Sequence, residues 1–146
     1  MESIIFTEPI KKEIMYDIAE AVIIKAKNMC PTDKGDLLAS IKYKIEGNVI
    51  TIMATDESAE AMEYGLPPTI LSPPEKAKIT MWAKRHGIKK PTNTQKYISE
   101  HGIDVGTVES PLHVTWQGRN SYRPFLRPAI FQTEAEFKDI VKGVIF

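Results

Sequence analysis

Four prolines fall within the nine residues 66–74, LPPTILSPP, and no helix or central strand can run through them. Each proline lacks an amide hydrogen and fixes its own φ, and each holds the residue before it out of the helical region. The stretch must be an extended connection. At 146 residues the whole is expected to be one domain, residues 1–146. A domain of that size buries roughly 70% of the surface its unfolded chain exposes.

Before the connection, residues 9–29 have the spacing of a long amphipathic helix. Ile10, Ile14, Ile18, Ala21, Val22, Lys25, Ala26 and Met29 recur every three or four residues, with Lys11, Lys12, Asp17, Glu20 and Lys27 opposite. Pro9 suits its first turn and Pro31 stops it. Residues 38–55 read as a β-hairpin. Ala39, Ile41, Tyr43 and Ile45 alternate with Ser40, Lys42 and Lys44, and Gly47-Asn48 is the turn before the β-branched return VITIMAT. Residues 58–65 predict a short helix closed by Gly65.

After the connection, Ser72-Pro73-Pro74-Glu75 fits a capping box opening a helix that runs to about His86, with Ile79, Trp82 and Ala83 on one stripe. Gly87 ends it, and Lys84 and Arg85 lie where cations favour the helix dipole. A second short helix starts at Thr92-Asn93-Thr94-Gln95 and ends at His101-Gly102. Leu112, Val114 and Trp116 alternate as a strand, and a final helix is expected from Pro128 to Lys142. The pattern is α+β: an antiparallel sheet packed against a long N-terminal helix and a C-terminal helix, with a two-helix insertion or arm at 74–101.

No catalytic chemistry is expected. Cys30 is the sole cysteine, so no internal disulfide can form, a reducing compartment is expected, and no base is suggested beside the thiol. His86, His101 and His113 lack a second ligand at metal spacing, and no GxSxG, phosphate-loop or dinucleotide fingerprint occurs. The carboxylate pairs Asp56-Glu57 and Glu60/Glu63 read as solvated charges. No metal and no cofactor is therefore expected. No apolar run approaches the ~20 residues of a bilayer span, and the start MESIIFTEP lacks the basic region of a secretory signal.

The charge is neutral overall but segregated. Residues 1–65 hold seven Lys/Arg against twelve Asp/Glu, residues 66–103 seven against two, and residues 104–146 five against five. The basic segment 74–101 admits an alternative, a small helix-turn-helix-like DNA-binding protein, with Gln95, Lys96 and Ser99 offered to a groove. Against it, the connection between the two helices contains Pro91 and is long for that motif.

Residues 122–129, YRPFLRPA, hold two Arg-Pro pairs four residues apart directly before a helix. Each proline should push its arginine out of the α region, and Arg127 would sit at a helix N-terminus, where the dipole disfavours a cation. A carboxylate partner would compensate, with Glu63 in Met62-Glu63-Tyr64-Gly65 the candidate for Arg127 or Arg123; the other reading leaves both arginines exposed and contributing almost nothing.

Three stretches together, Pro31-Thr32-Asp33-Lys34-Gly35-Asp36-Leu37-Leu38-Ala39-Ser40-Ile41, Ala61-Met62-Glu63-Tyr64-Gly65 and Arg123-Pro124-Phe125-Leu126-Arg127-Pro128-Ala129, resemble the signature of the neck or tail-completion family of long-tailed bacteriophages, in the family's order. The family pattern runs P-x-x-T-G-x-L-x-x-S-I, then Y-A-x-x-x-E-x-G-T, then P-F-[LM]-R-P-A and a closing helix. Here Lys34 and Leu66 stand where that pattern has threonine, Leu38 where arginine is common, and Ser58-Ala59 in place of Y-A. The segment 72–88 resembles an insertion found in many members.

The resemblance implies a non-enzymatic virion protein of the head–tail connector, at the neck, tail-completion or tail-terminator position. Such a subunit would be assembled in the host bacterial cytoplasm and form a homo-oligomeric ring of sixfold or twelvefold symmetry around the DNA channel. Its partners would be head-closure or adaptor proteins and the tail tube or terminator, with non-specific proximity to channel DNA and no membrane. It marks Glu63, Tyr64, Gly65, Arg123, Pro124, Phe125, Arg127 and Pro128 as structural or interface residues. Thr32, Gly35 and Leu37 form the loop motif, and Trp82, Lys84 and Arg85 are candidate arm contacts.

Overall fold

The computed structural model describes residues 7–31, 35–85, 87–116 and 119–145, with the side chains of 114–121 outside the description. Helix α1 spans Glu8–Met29, with Pro9 in its first turn. It ends at Cys30, held extended (φ −62°, ψ 126°) because Pro31 comes next. Ile14, Ala19, Val22, Ile23, Ala26 and Met29 are its buried residues. The buried stripe thus takes in Ala19 and Ile23, while Ala21 and Lys25 lie at its margin.

A four-residue helix α2, Asp36–Ala39, follows Gly35, whose φ of 85° is a left-handed conformation suited to glycine. The expected hairpin therefore starts later than residue 38, because Leu37 and Leu38 belong to a helical turn that buries Leu37. Strands β1 (Ile41–Glu46) and β2 (Val49–Ala54) pair antiparallel from Ile41↔Ala54 to Glu46↔Val49, leaving Gly47-Asn48 as the two-residue turn. Gly47 has φ 58°, as such a turn requires. Helix α3, Ala59–Tyr64, ends at Gly65.

Helices α4 (Pro73–Arg85) and α5 (Pro91–His101) pack chiefly on each other. The Ser72 hydroxyl donates to the Glu75 carboxylate at 2.8 Å and accepts the Glu75 amide at 3.4 Å, so the expected box is met on its serine side, with the carboxylate on the hydroxyl rather than on the Ser72 amide. The arm leaves and returns at one place. Leu66 and Ile103 exchange two backbone hydrogen bonds of 3.0 and 2.7 Å, and the Thr69 amide donates to the Ser99 carbonyl.

Strand β3 (His113–Trp116) pairs antiparallel with β4 (Arg119–Tyr122). Among the described residues the strands form two separate two-stranded ribbons. The expected final helix is two helices, α6 (Leu126–Glu134) and α7 (Phe137–Ile145), and both lie on α1. The fold is thus mixed α+β, with antiparallel strands, a long N-terminal helix and C-terminal helices. Its core joins Val22, Ile23, Ala26 and Met29 of α1 to Leu37, Ile41, Ala59, Phe125 and Ala129.

Candidate functional site

The N-terminus of α6 is buried, and its orphan amides have to be satisfied by something. Its own N-cap position is Phe125, which has no side-chain acceptor. The acceptor comes instead from α3. Glu63 Oε2 receives the amides of Phe125 and Leu126 at 2.8 and 2.9 Å, and Oε1 receives the amide of Arg127 at 2.8 Å. The fourth unpaired position of the first turn is Pro128, which has no amide hydrogen. One carboxylate therefore accounts for the whole helix start.

The Glu63 side chain is only 4% exposed, so its charge has to be compensated. Besides the three amides and the positive end of the α6 dipole, Arg127 Nε donates to Oε1 at 3.0 Å. Arg127 Nη2 also donates to the Glu63 carbonyl at 2.6 Å, and the guanidinium lies 4.4 Å from the centre of the Tyr64 ring. Tyr64 itself is 65% exposed. Helix α3 sets this up: Ala59 and Glu63, four apart, face inward together, while Tyr64 turns out to solvent.

This geometry revises one expectation. Pro128 was expected to keep Arg127 outside the helix, yet Arg127 is the second residue of α6. The penalty that a following proline places on a helical residue is offset by the three amide bonds to Glu63. Of the two arginines considered for Glu63, Arg127 takes the carboxylate. Arg123 goes elsewhere: its amide donates to the Leu112 carbonyl at 3.0 Å, and Nη1 donates to the Asp104 carbonyl at 2.8 Å.

The same junction holds most of the other marked residues. Pro124, Phe125 and Pro128 are fully buried, and Gly65 (φ 74°) turns the chain from α3 into the Leu66–Ile103 pair. A Cβ at Gly65 would collide with the Ile103 carbonyl oxygen. In the loop motif, Gly35 starts α2 and Leu37 enters the core, whereas Thr32 lies outside the described residues. Trp82, Lys84 and Arg85 are on the arm, Trp82 37% exposed and the two cations exposed. His86 is outside the described residues.

The remaining titratable groups are dispersed. Cys30 is buried, with its thiol pushed up to about 12 by burial and by the Asp56 charge. His101 Nδ1 lies 3.1 Å from the Tyr97 carbonyl, and the His113 ring stacks on Tyr122 at 4.6 Å. Among the described residues no three His, Cys, Asp or Glu gather as a metal site would require. No described helix is long and apolar enough to cross a membrane.

The sequence pointed to Glu63 with an arginine but not to the backbone amides that dominate the contact, nor to Tyr64 as a stacking surface. The signal was present in Pro128: a proline two residues inside a helix leaves three amides for a single acceptor. No family model, curated protein or solved structure matches the chain.

Proposed function

We propose that this chain is a non-enzymatic structural subunit of a phage head–tail connector, forming a ring between the closed head and the tail tube around the DNA channel. One observation carries the reading beyond the resemblance itself. The three signature-like stretches, far apart in sequence, meet in one place: Leu37 and Ile41, then Glu63, then Phe125 and Ala129. The first and third stretches share the core, and Glu63 of the second caps the helix that the third begins, an arrangement in keeping with one shared junction.

A closed ring needs a heterologous interface, with different patches of one subunit meeting on the next. The segregated charges supply opposite patches. The DNA-reading alternative loses support from the arm's own bonding. Gln95 Nε2 donates to the Lys76 carbonyl and the Thr80 hydroxyl at 3.1 and 2.6 Å, and Ser99 Oγ donates to the Thr69 carbonyl at 2.6 Å. Two of the three side chains offered to a groove are thus committed within the arm.

Mass spectrometry of purified virions should find the chain, and a reconstruction of the virion neck should place it in a ring. Its absence from virions overturns the proposal. Filter binding on duplex DNA decides the alternative: weak, sequence-blind and steeply salt-dependent retention fits a channel protein, whereas a tight specific site favours the DNA-reading module.

A further inference from the structure

The outward ridge of α1 faces away from the core. At 100° per residue, Glu13, Asp17, Glu20 and Ile24 fall within a narrow arc opposite the buried stripe. All four are exposed, Ile24 by 59%. The three carboxylates line about 10 Å of helix at 1.5 Å per residue. Glu20 also accepts the Tyr43 hydroxyl at 2.7 Å, which fixes its position and leaves its charge.

The arm carries the opposite arrangement. Met81, 59% exposed, and Lys84 are one turn apart on the same face of α4. Exposed Lys89 and Lys90 come next in the connection to α5, with no acidic residue between 76 and 99. Each surface sets an exposed apolar side chain beside three like charges of opposite sign, with exposed Lys27 at the edge of the α1 ridge, one turn beyond Ile24.

We infer that the Met81–Lys84 face of the arm, with Lys89 and Lys90, docks on the Glu13–Ile24 ridge of α1 in a second copy of this chain. The inference deepens the ring reading and rests on it, since it names the two unlike patches a heterologous ring contact needs. The choice of a second copy over nucleic acid follows from the charges. Helix α1 is balanced as a whole, four Lys against four Asp/Glu, but its outward ridge groups Glu13, Asp17 and Glu20, opposite in sign to Lys84, Lys89 and Lys90, so a matching surface is on the chain itself.

The test is sedimentation velocity on the full chain at low and high salt, with two triple variants. One carries Lys84→Glu, Lys89→Glu and Lys90→Glu; the other Glu13→Lys, Asp17→Lys and Glu20→Lys. Wild type should self-associate at about 0.05 M salt and do so at least about tenfold more weakly at about 0.5 M. Each variant alone should lose association by about tenfold or more, and an equimolar mixture of the two should regain it, because each reversed patch then meets a reversed partner. All six positions are exposed, and unchanged thermal melting of each variant checks that the fold is intact.

Wild type that stays monomeric at about 1 mM overturns the inference. So does association indifferent to both reversals, or a mixture that does not recover. Duplex DNA binding abolished by the arm reversal, without any self-association, would reassign the arm to nucleic acid. None of these outcomes touches the ring reading as such, which stands or falls on the chain's presence in the neck of the virion.

Discussion

Removing the Glu63 carboxylate would leave three buried amides and a guanidinium without their acceptor, while its partner Arg127 is 40% exposed and can be rehydrated. The two ends of this ion pair are therefore unequal. Glu63→Ala should destabilise by about 3 kcal/mol, and Arg127→Ala by about 1 kcal/mol. On thermal unfolding the first should lower the midpoint by roughly 10 °C, with the second well under half of that. Equal losses would mean that the ion pair, not the cap, holds the junction. An arginine before a proline at a helix start raised the carboxylate beside the reading of two exposed arginines, and the structure decides for the carboxylate at Arg127. The amides were not legible, because a backbone N–H is the same in every residue and only the fold shows which ones lack a partner.

Cys30 gives a pH dependence at the same scale. Its thiol is raised from 9.0 to about 12 in the folded protein, so folding keeps it protonated. Above about pH 9 the unfolded chain releases a proton that the folded chain retains, and stability falls as pH rises through the window from about 9 to about 12. Wild type should therefore lose more of its melting temperature between about pH 8 and pH 10 than Cys30→Ala does. Every other side chain is the same in both proteins, so the difference isolates the thiol.

At the scale of elements, legibility followed the length of the pattern. Helix α1, the β1–β2 ribbon and the capped start of α4 were readable because each shows several periods, a proper turn or a serine three residues before a glutamate. Helix α2 was not, since four residues are barely one turn. Strand β4, Arg119-Asn120-Ser121-Tyr122, has no apolar alternation to read. The break between α6 and α7 falls at Ala135 and Glu136, both good helix formers. It is imposed by packing: both halves lie along α1, and Glu136 meets Lys25 at 2.7 Å.

The base of the arm depends on Gly102, whose φ of 70° and missing Cβ let it pass against the Leu66 carbonyl. Gly102→Ala strains the backbone and collides there, so the Leu66–Ile103 pair should open. Hydrogen exchange in α4 and α5 should then quicken by tenfold or more while α1, β1 and α6 keep their protection. A uniform loss of protection would show that arm and core unfold as one unit.

Taken as a whole, the molecule has one core, built by α1, the first ribbon, α3 and α6, and an arm whose helices pack chiefly on each other. The two hydrogen bonds between Leu66 and Ile103 bring the ends of that arm as close as neighbouring strands. The segment between them is closed at its base, with the Lys78–Glu57 ion pair at 3.1 Å as an exposed tie to the rest of the chain, and so has the geometry of a cassette. Replacing residues 67–102 with an Asn-Gly turn should leave a shorter chain that still folds cooperatively and still melts through the Glu63 junction. A family built this way could lengthen, shorten or swap its cassette without redesigning the core. Adaptation to a new neighbour would then proceed by splicing between Leu66 and Ile103, where the chain is already closed on itself.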